Sequence, residues 1–182
     1  ENVVAIKVAP FNRYRTLDVA FGIAQAHAED RITLYTGNDD HIVADLVTPL
    51  VVRTGNREVT LRFQGGLLGH WSVWTRGAVK LLEKLKLSVS NGALPAEVLA
   101  LDSFVTDCNS VVFDVDHDFA GCIPGCHEIL RRQGLGAEHI QGGGGQMSRI
   151  EGGDQVRVDH MLAPRHIDEL GSGGKAAEPS ST

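Results

Sequence analysis

The sequence predicts an α/β fold built on a parallel sheet, and three observations predict it. Residues 3–8, Val-Val-Ala-Ile-Lys-Val, form a nearly continuous apolar run rich in β-branched residues, the pattern of a strand buried on both faces. Strand-like and helix-like segments then alternate, and two helical stretches close the patterned region.

In order, Pro10 ends the first strand, and Leu17, Val19, Ala20, Ile23 and Ala24 recur at helical spacing from Thr16, a plausible N-cap, to about Ala28. Residues 31–36, Arg-Ile-Thr-Leu-Tyr-Thr, read as a second strand running into Gly37-Asn38-Asp39-Asp40. Ile42, Val43, Leu46 and Val47 give a second helical stripe, which Pro49 ends. Between Val51 and Phe63, Thr54-Gly55-Asn56 separates two alternating runs, as in a hairpin or a long irregular loop; Val59 to Phe63 could equally be a third strand of the sheet. The glycine-rich stretch Gly65 to Gly69 follows. Ala78, Val79, Leu82 and Leu85 then mark one face of a helix from about Thr75 to Leu87, and further helices are expected over Pro95 to Phe113 and Gly121 to Gln133. From Gly136 the pattern fails: Gly142 to Gly145 is a run of four glycines, and residues 136–182 read as a disordered tail.

Composition narrows the function classes. The chain has 182 residues, 42% hydrophobic and 22% charged, the ordinary balance of a globular protein. No run approaches the roughly 18 to 20 apolar residues of a membrane span, and no basic region followed by an apolar stretch opens the sequence, so no membrane partner and a cytoplasmic location are expected. Net charge is −6 with scattered Lys and Arg, which argues against nucleic acid as a partner. Three cysteines, Cys108, Cys122 and Cys126, do not suggest a secreted disulfide framework.

Lys7 is the most informative residue. An ammonium among Val3, Val4, Ile6 and Val8 is costly to bury unless something is gained, and a desolvated neutral amine is a nucleophile able to form an imine with a ketone. It stands near the C-terminal end of its strand, where parallel barrels carry their catalytic groups. The alternative is a lysine snorkelling from an edge strand.

The order of motifs adds a resemblance. Ala-Ile-Lys7 on one strand, Thr36-Gly37-Asn38-Asp39 ending the next, and Gly65-Gly66 followed by Trp71-Ser72-Val73 look like the last three strands of the dihydrodipicolinate synthase and N-acetylneuraminate lyase family. Phe119 to Gly125 and Glu128 to Leu135 resemble that family's C-terminal helical extension, and Ala9 to Asp18 with Gly66 to Trp71 look like a divergent subgroup of it. The resemblance spans residues 2–135.

The resemblance implies the last three β-α units of a TIM (β/α)8 barrel in residues 1–135, and a Schiff-base-forming lyase or aldolase of the class I type. It implies that Lys7 is the catalytic residue forming an imine with pyruvate or another 2-oxo acid, that Gly37 lets its backbone approach the substrate, and that Trp71 faces the imine. No cofactor and no metal are implied, and a homo-oligomer is expected. The Gly65 to Ser72 block is one residue longer than the family pattern, and the Pro49 to Phe63 loop is an addition. The family's proton-relay tyrosine and carboxylate-binding threonine pair belong to earlier strands that this chain lacks. Tyr14 is expected in a loop, and Tyr35 as a packed strand residue. Three strands cannot close a barrel of about eight. The expectation is therefore an incomplete barrel, inactive in the alternative reading, with a tail translated out of frame beyond Leu135 or serving as a linker.

Other constellations are weaker. Asp114-Val-Asp116-His-Asp118 begins like a calcium loop, but Phe119 and Gly125 stand where a turn glycine and a bidentate Glu are needed. Cys122, Cys126 and His127, with Cys108 or His117, could ligate a metal in a small binding module; a second close ligand pair is missing, and buried or half-buried free thiols are expected instead. Gly65 to Gly69 lacks the Lys-Ser or Lys-Thr of a phosphate loop, and His70 reads as a structural histidine.

Overall fold

The computed structural model describes residues 2–135; the tail expected over 136–182 lies outside the described residues. The elements run β1 (Ala5–Val8), α1 (Arg13–Gln25), β2 (Thr33–Thr36), α2 (Ile42–Val47), β3 (Leu50–Thr54), β4 (Arg57–Leu61), β5 (Phe63–Gly66), α3 (Thr75–Ser90), α4 (Ala96–Phe113) and α5 (Cys122–Arg132). Short 3-10 turns lie at His70–Ser72 and Val115–His117. The class is α/β.

β1, β2 and β5 form a parallel sheet in that order, and β3 and β4 pair separately as an antiparallel hairpin. No closed barrel is present among the described residues. Gly55, at the first turn position of the hairpin, has φ +59, which glycine adopts without steric cost. The third strand of the parallel sheet is therefore Phe63–Gly66, and the run expected from Val59 to Phe63 is divided between hairpin and sheet. Gly65 and Gly66, expected to follow the third strand, are its last two residues.

The two faces of the parallel sheet differ. Val8, Leu34 and Phe63 are buried with Ala20, Ile23 and Ala24 of α1 and Ile42, Val43, Leu46 and Val47 of α2 in one hydrophobic core. On the other face Ala5, Lys7 and Thr33 are exposed. β1 is thus not buried on both faces as its apolar run suggested, because it is an edge strand and the helices pack on one side only. Leu85 of α3 and Val98 and Val105 of α4 extend the same core. A smaller cluster of Val112, Phe113 and Ile129 joins α4 to α5.

Several boundaries moved for local reasons. α1 begins one turn before Thr16, because Asn12 Oδ1 accepts the Arg15 amide at 3.2 Å and is the N-cap. Thr16 is instead buried inside the helix, its hydroxyl donating to the Asn12 carbonyl. Tyr14 is consequently a helix residue, 82% exposed, rather than a loop residue. β2 starts at Thr33 because Arg31 and Ile32 both donate backbone bonds to the Ala28 carbonyl in a turn. α3 continues to Ser90, stopping at Asn91 and at Gly92, which has φ +67. α4 and α5 fall within a residue of expectation.

Candidate functional site

The site forms where β1 and β2 end. Directly after β2 the chain leaves the sheet at Gly37, whose amide donates to the Val8 carbonyl at 2.8 Å and so holds the ends of the two strands together. Lys7 projects on the open face and lies over Gly37: a methyl group built there would stand 2.7 Å from Lys7 Cε, 3.0 Å from Ala9 Cβ and 3.5 Å from Lys7 Nζ. Only a residue without a side chain leaves the lysine that path. The structure therefore brings together Lys7 and Gly37, two of the three residues singled out in the sequence. Trp71, the third, is 9% exposed and belongs to the main hydrophobic core.

Lys7 is exposed rather than enclosed among its apolar strand neighbours.

Tyr35 is the residue that sequence reasoning set aside. It pairs in register with Lys7 on one side and with Gly65 on the other, and so shares the open face. Its ring covers Gly65, where a methyl group would stand 2.8 Å from Cε2. A bulge at Gln64 sets this alignment: Leu34 is opposite Phe63, but Tyr35 is opposite Gly65. Strand register is not written in local sequence, which is why Tyr35 read only as a packing residue.

Behind the sheet, a buried polar network fixes the loop after β2. Asp45 of α2 is fully buried at 0% exposure and forms an ion pair with Arg13 of α1. Its second carboxylate oxygen accepts the Thr36 hydroxyl at 2.6 Å and the Asn38 amide at 2.9 Å. Asn38 also donates to the Thr16 hydroxyl and accepts the Phe11 backbone amide, both at 3.2 Å. One network thus ties the loop after β1 to the loop after β2. The sequence signal was a lone carboxylate inside an otherwise apolar helical stripe.

Beyond this network, burial and then the neighbouring Asp40 carboxylate raise the Asp39 carboxyl above its usual range. Asp102 of α4 accepts the Ala44 amide at 2.9 Å and pairs with His41 Nδ1 at 2.7 Å, so α4 supplies the cap that α2's own N-cap side chain does not. Phe11 and Phe119 stack at the loop ends, with ring centroids 5.8 Å apart and planes at 12°; both have positive φ, 48° and 63°.

Cys108 is buried, and Cys122 and Cys126 are half-buried; all three are free thiols. Burial, with Asp107 adding, pushes the Cys108 thiol up to about 12. Among the described residues no group of three or more His, Cys, Asp or Glu side chains is arranged to hold a metal ion. Among them, no helix is long and apolar enough to cross a membrane. Comparisons of the chain with protein-family models, with curated proteins and with solved structures find no match.

Proposed function

We propose that this chain belongs to a Schiff-base-forming lyase or aldolase of the dihydrodipicolinate synthase type, with Lys7 trapping the carbonyl of pyruvate or another small 2-oxo acid. The observation that carries the reading is the placement of Lys7 over Gly37 at the C-terminal end of adjacent parallel strands. The amine adds to the substrate's C2 carbonyl, and loss of water gives the imine, an electron sink for bond cleavage at C3. Gly37 leaves room above the strand end for the Lys7 side chain.

The three parallel strands, with helices on one face and lysine on the other, are in this reading an arc of a (β/α)8 barrel whose open side is the barrel interior. Closing that side is what would exclude water from the imine. A second reading, in which the chain is inactive by itself, is favoured by the exposure of Lys7 on that open side.

Incubation with pyruvate and borohydride separates the two. The active reading expects one reduced imine on the peptide that contains Lys7, and none in Lys7→Ala. An adduct on other lysines, or none at millimolar pyruvate, leaves the inactive reading.

A further inference from the structure

We propose that the connection between α4 and α5 is a strained strap, latched by the ring of Phe119 on the ring of Phe11. Parting the two rings opens residues 114–120, and frees the loop that leaves β1, without unfolding the helices on either side. The inference stands on this geometry and does not need the imine reading of Lys7.

Backbone strain gathers at this one place. Phe11, Asp114, Asp118 and Phe119 have φ of 48°, 54°, 55° and 63°, so three of the four lie in the strap and the fourth is its contact. Aspartate tolerates the left-handed region, because its short polar side chain bonds locally, but a bulky phenylalanine there is an outlier. Such residues persist only where their surroundings hold them, and they cluster at clamps and switch regions.

The holding contacts differ on the two sides. Phe11 donates its amide to Asn38 Oδ1 at 3.2 Å, within the buried network around Asp45. In the strap the bonds are short-range: Phe119 donates to the Asp114 carbonyl at 3.2 Å, Gly121 to the Phe113 carbonyl at 3.1 Å, and Cys122 to the Phe119 carbonyl at 3.2 Å. Residues 115–120 are exposed. The stack, with centroids 5.8 Å apart and planes at 12°, joins this exposed segment to the loop after β1. Phe11 is 50% and Phe119 39% exposed, so the rings part with little loss of buried surface. The helices have a separate attachment, through Val112, Phe113 and Ile129 and through Gly125, where a methyl group would stand 2.0 Å from the Val112 carbonyl oxygen. They therefore stay docked when the strap opens.

Chymotrypsin acting on the full chain reads the strap directly, because cleavage after Phe119 requires that segment to leave its closed form. Phe11→Leu and Phe11→Gly both remove the stack and leave the cleavage site untouched. Glycine takes a φ of 48° without steric cost, so the second variant keeps the experiment decisive where the first does not fold. Either variant should be cut after Phe119 about fivefold faster than wild type, the scale set by one aromatic pair. Cleavage after Phe104, inside α4, should stay within about twofold of wild type, since α4 remains folded. A rate after Phe119 equal to wild type, or slower, overturns the latch. Equal acceleration at Phe104 and Phe119 assigns Phe11 to the stability of the whole fold and overturns local opening.

Discussion

Lys7 takes its present path across Gly37 because that residue has no side chain: the place where a Cβ would stand is 2.7 Å from Lys7 Cε. Carbon atoms in contact ordinarily keep about 3.5 to 4.0 Å between them. The glycine thus sets the path of the lysine as well as the turn out of the sheet.

Gly37→Ala should therefore separate position from stability. The far end of a lysine moves aside cheaply, whereas the neighbouring Ala9 Cβ, at 3.0 Å, gives by only a few tenths of an ångström. The fold should lose about 1 kcal/mol or less, in the range of ordinary surface changes and mild overpacking. Yield of the borohydride-reduced pyruvate adduct at Lys7 should fall about tenfold, since small displacements of a reacting group are costly. A melting curve and quantitative mass spectrometry on one preparation check both halves, and an adduct yield equal to wild type contradicts the role given to Gly37.

Asp45→Ala addresses the network behind the site. The carboxylate is fully buried, and its removal takes an acceptor from the Arg13 guanidinium, from the Thr36 hydroxyl and from the Asn38 amide, which keeps its bond to Thr16. Arg13 is 40% exposed and can turn to water, so the expected cost, about 2 kcal/mol, comes mainly from the buried hydroxyl and amide left short of an acceptor. Denaturant unfolding should show that loss, and because Asn38 holds the Phe11 amide, hydrogen exchange should quicken at Phe11 before it does in α4. Stability within 1 kcal/mol of wild type would mean that the network does not hold the two loops.

These sites also show what local sequence carries and what it does not. The helices α4 and α5 were legible to within a residue, because apolar period, Pro95 and the glycines around α5 are all local signals. Lys7 and Gly37 were each singled out through a family resemblance, but their contact depends on strand pairing and is not a local signal. Three features needed tertiary information: the edge position of β1, the register that sets Tyr35 beside Lys7, and the burial of Asp45. A run such as Val-Val-Ala-Ile-Lys-Val reports that a strand is apolar, but whether a second layer covers it depends on segments elsewhere in the chain. The Thr16 N-cap failed similarly, since both Asn12 and Thr16 suit a cap and only the buried contact with Asn38 decides which is used.

The pH dependence of stability is predicted at Glu128. Arg131 donates to both carboxylate oxygens, from Nε at 2.7 Å and Nη2 at 2.8 Å, and Arg132 adds a third bond at 2.8 Å. Hydrogen bonding from Arg131, opposed by burial and helped by Arg132, lowers the carboxyl from 4.5 to about 2. Because the folded value lies below the unfolded one, the protein gains stability from this group above pH 4.5 and loses it as pH falls from there through about 2. The shift alone corresponds to ~3 kcal/mol; with the Arg131 side chain 63% exposed and screened by water, on the order of 1 kcal/mol is the expected contribution. Chemical unfolding of wild type from pH 6 down to pH 2.5 should show this loss on top of the general effect of acid, and Glu128→Gln should remove that part of the slope while starting from a lower stability at pH 6. Added salt should weaken the difference at pH 6, since one arginine faces solvent. Parallel pH profiles for the two proteins would show that the carboxylate of Glu128 is no better placed in the folded chain than in the unfolded one.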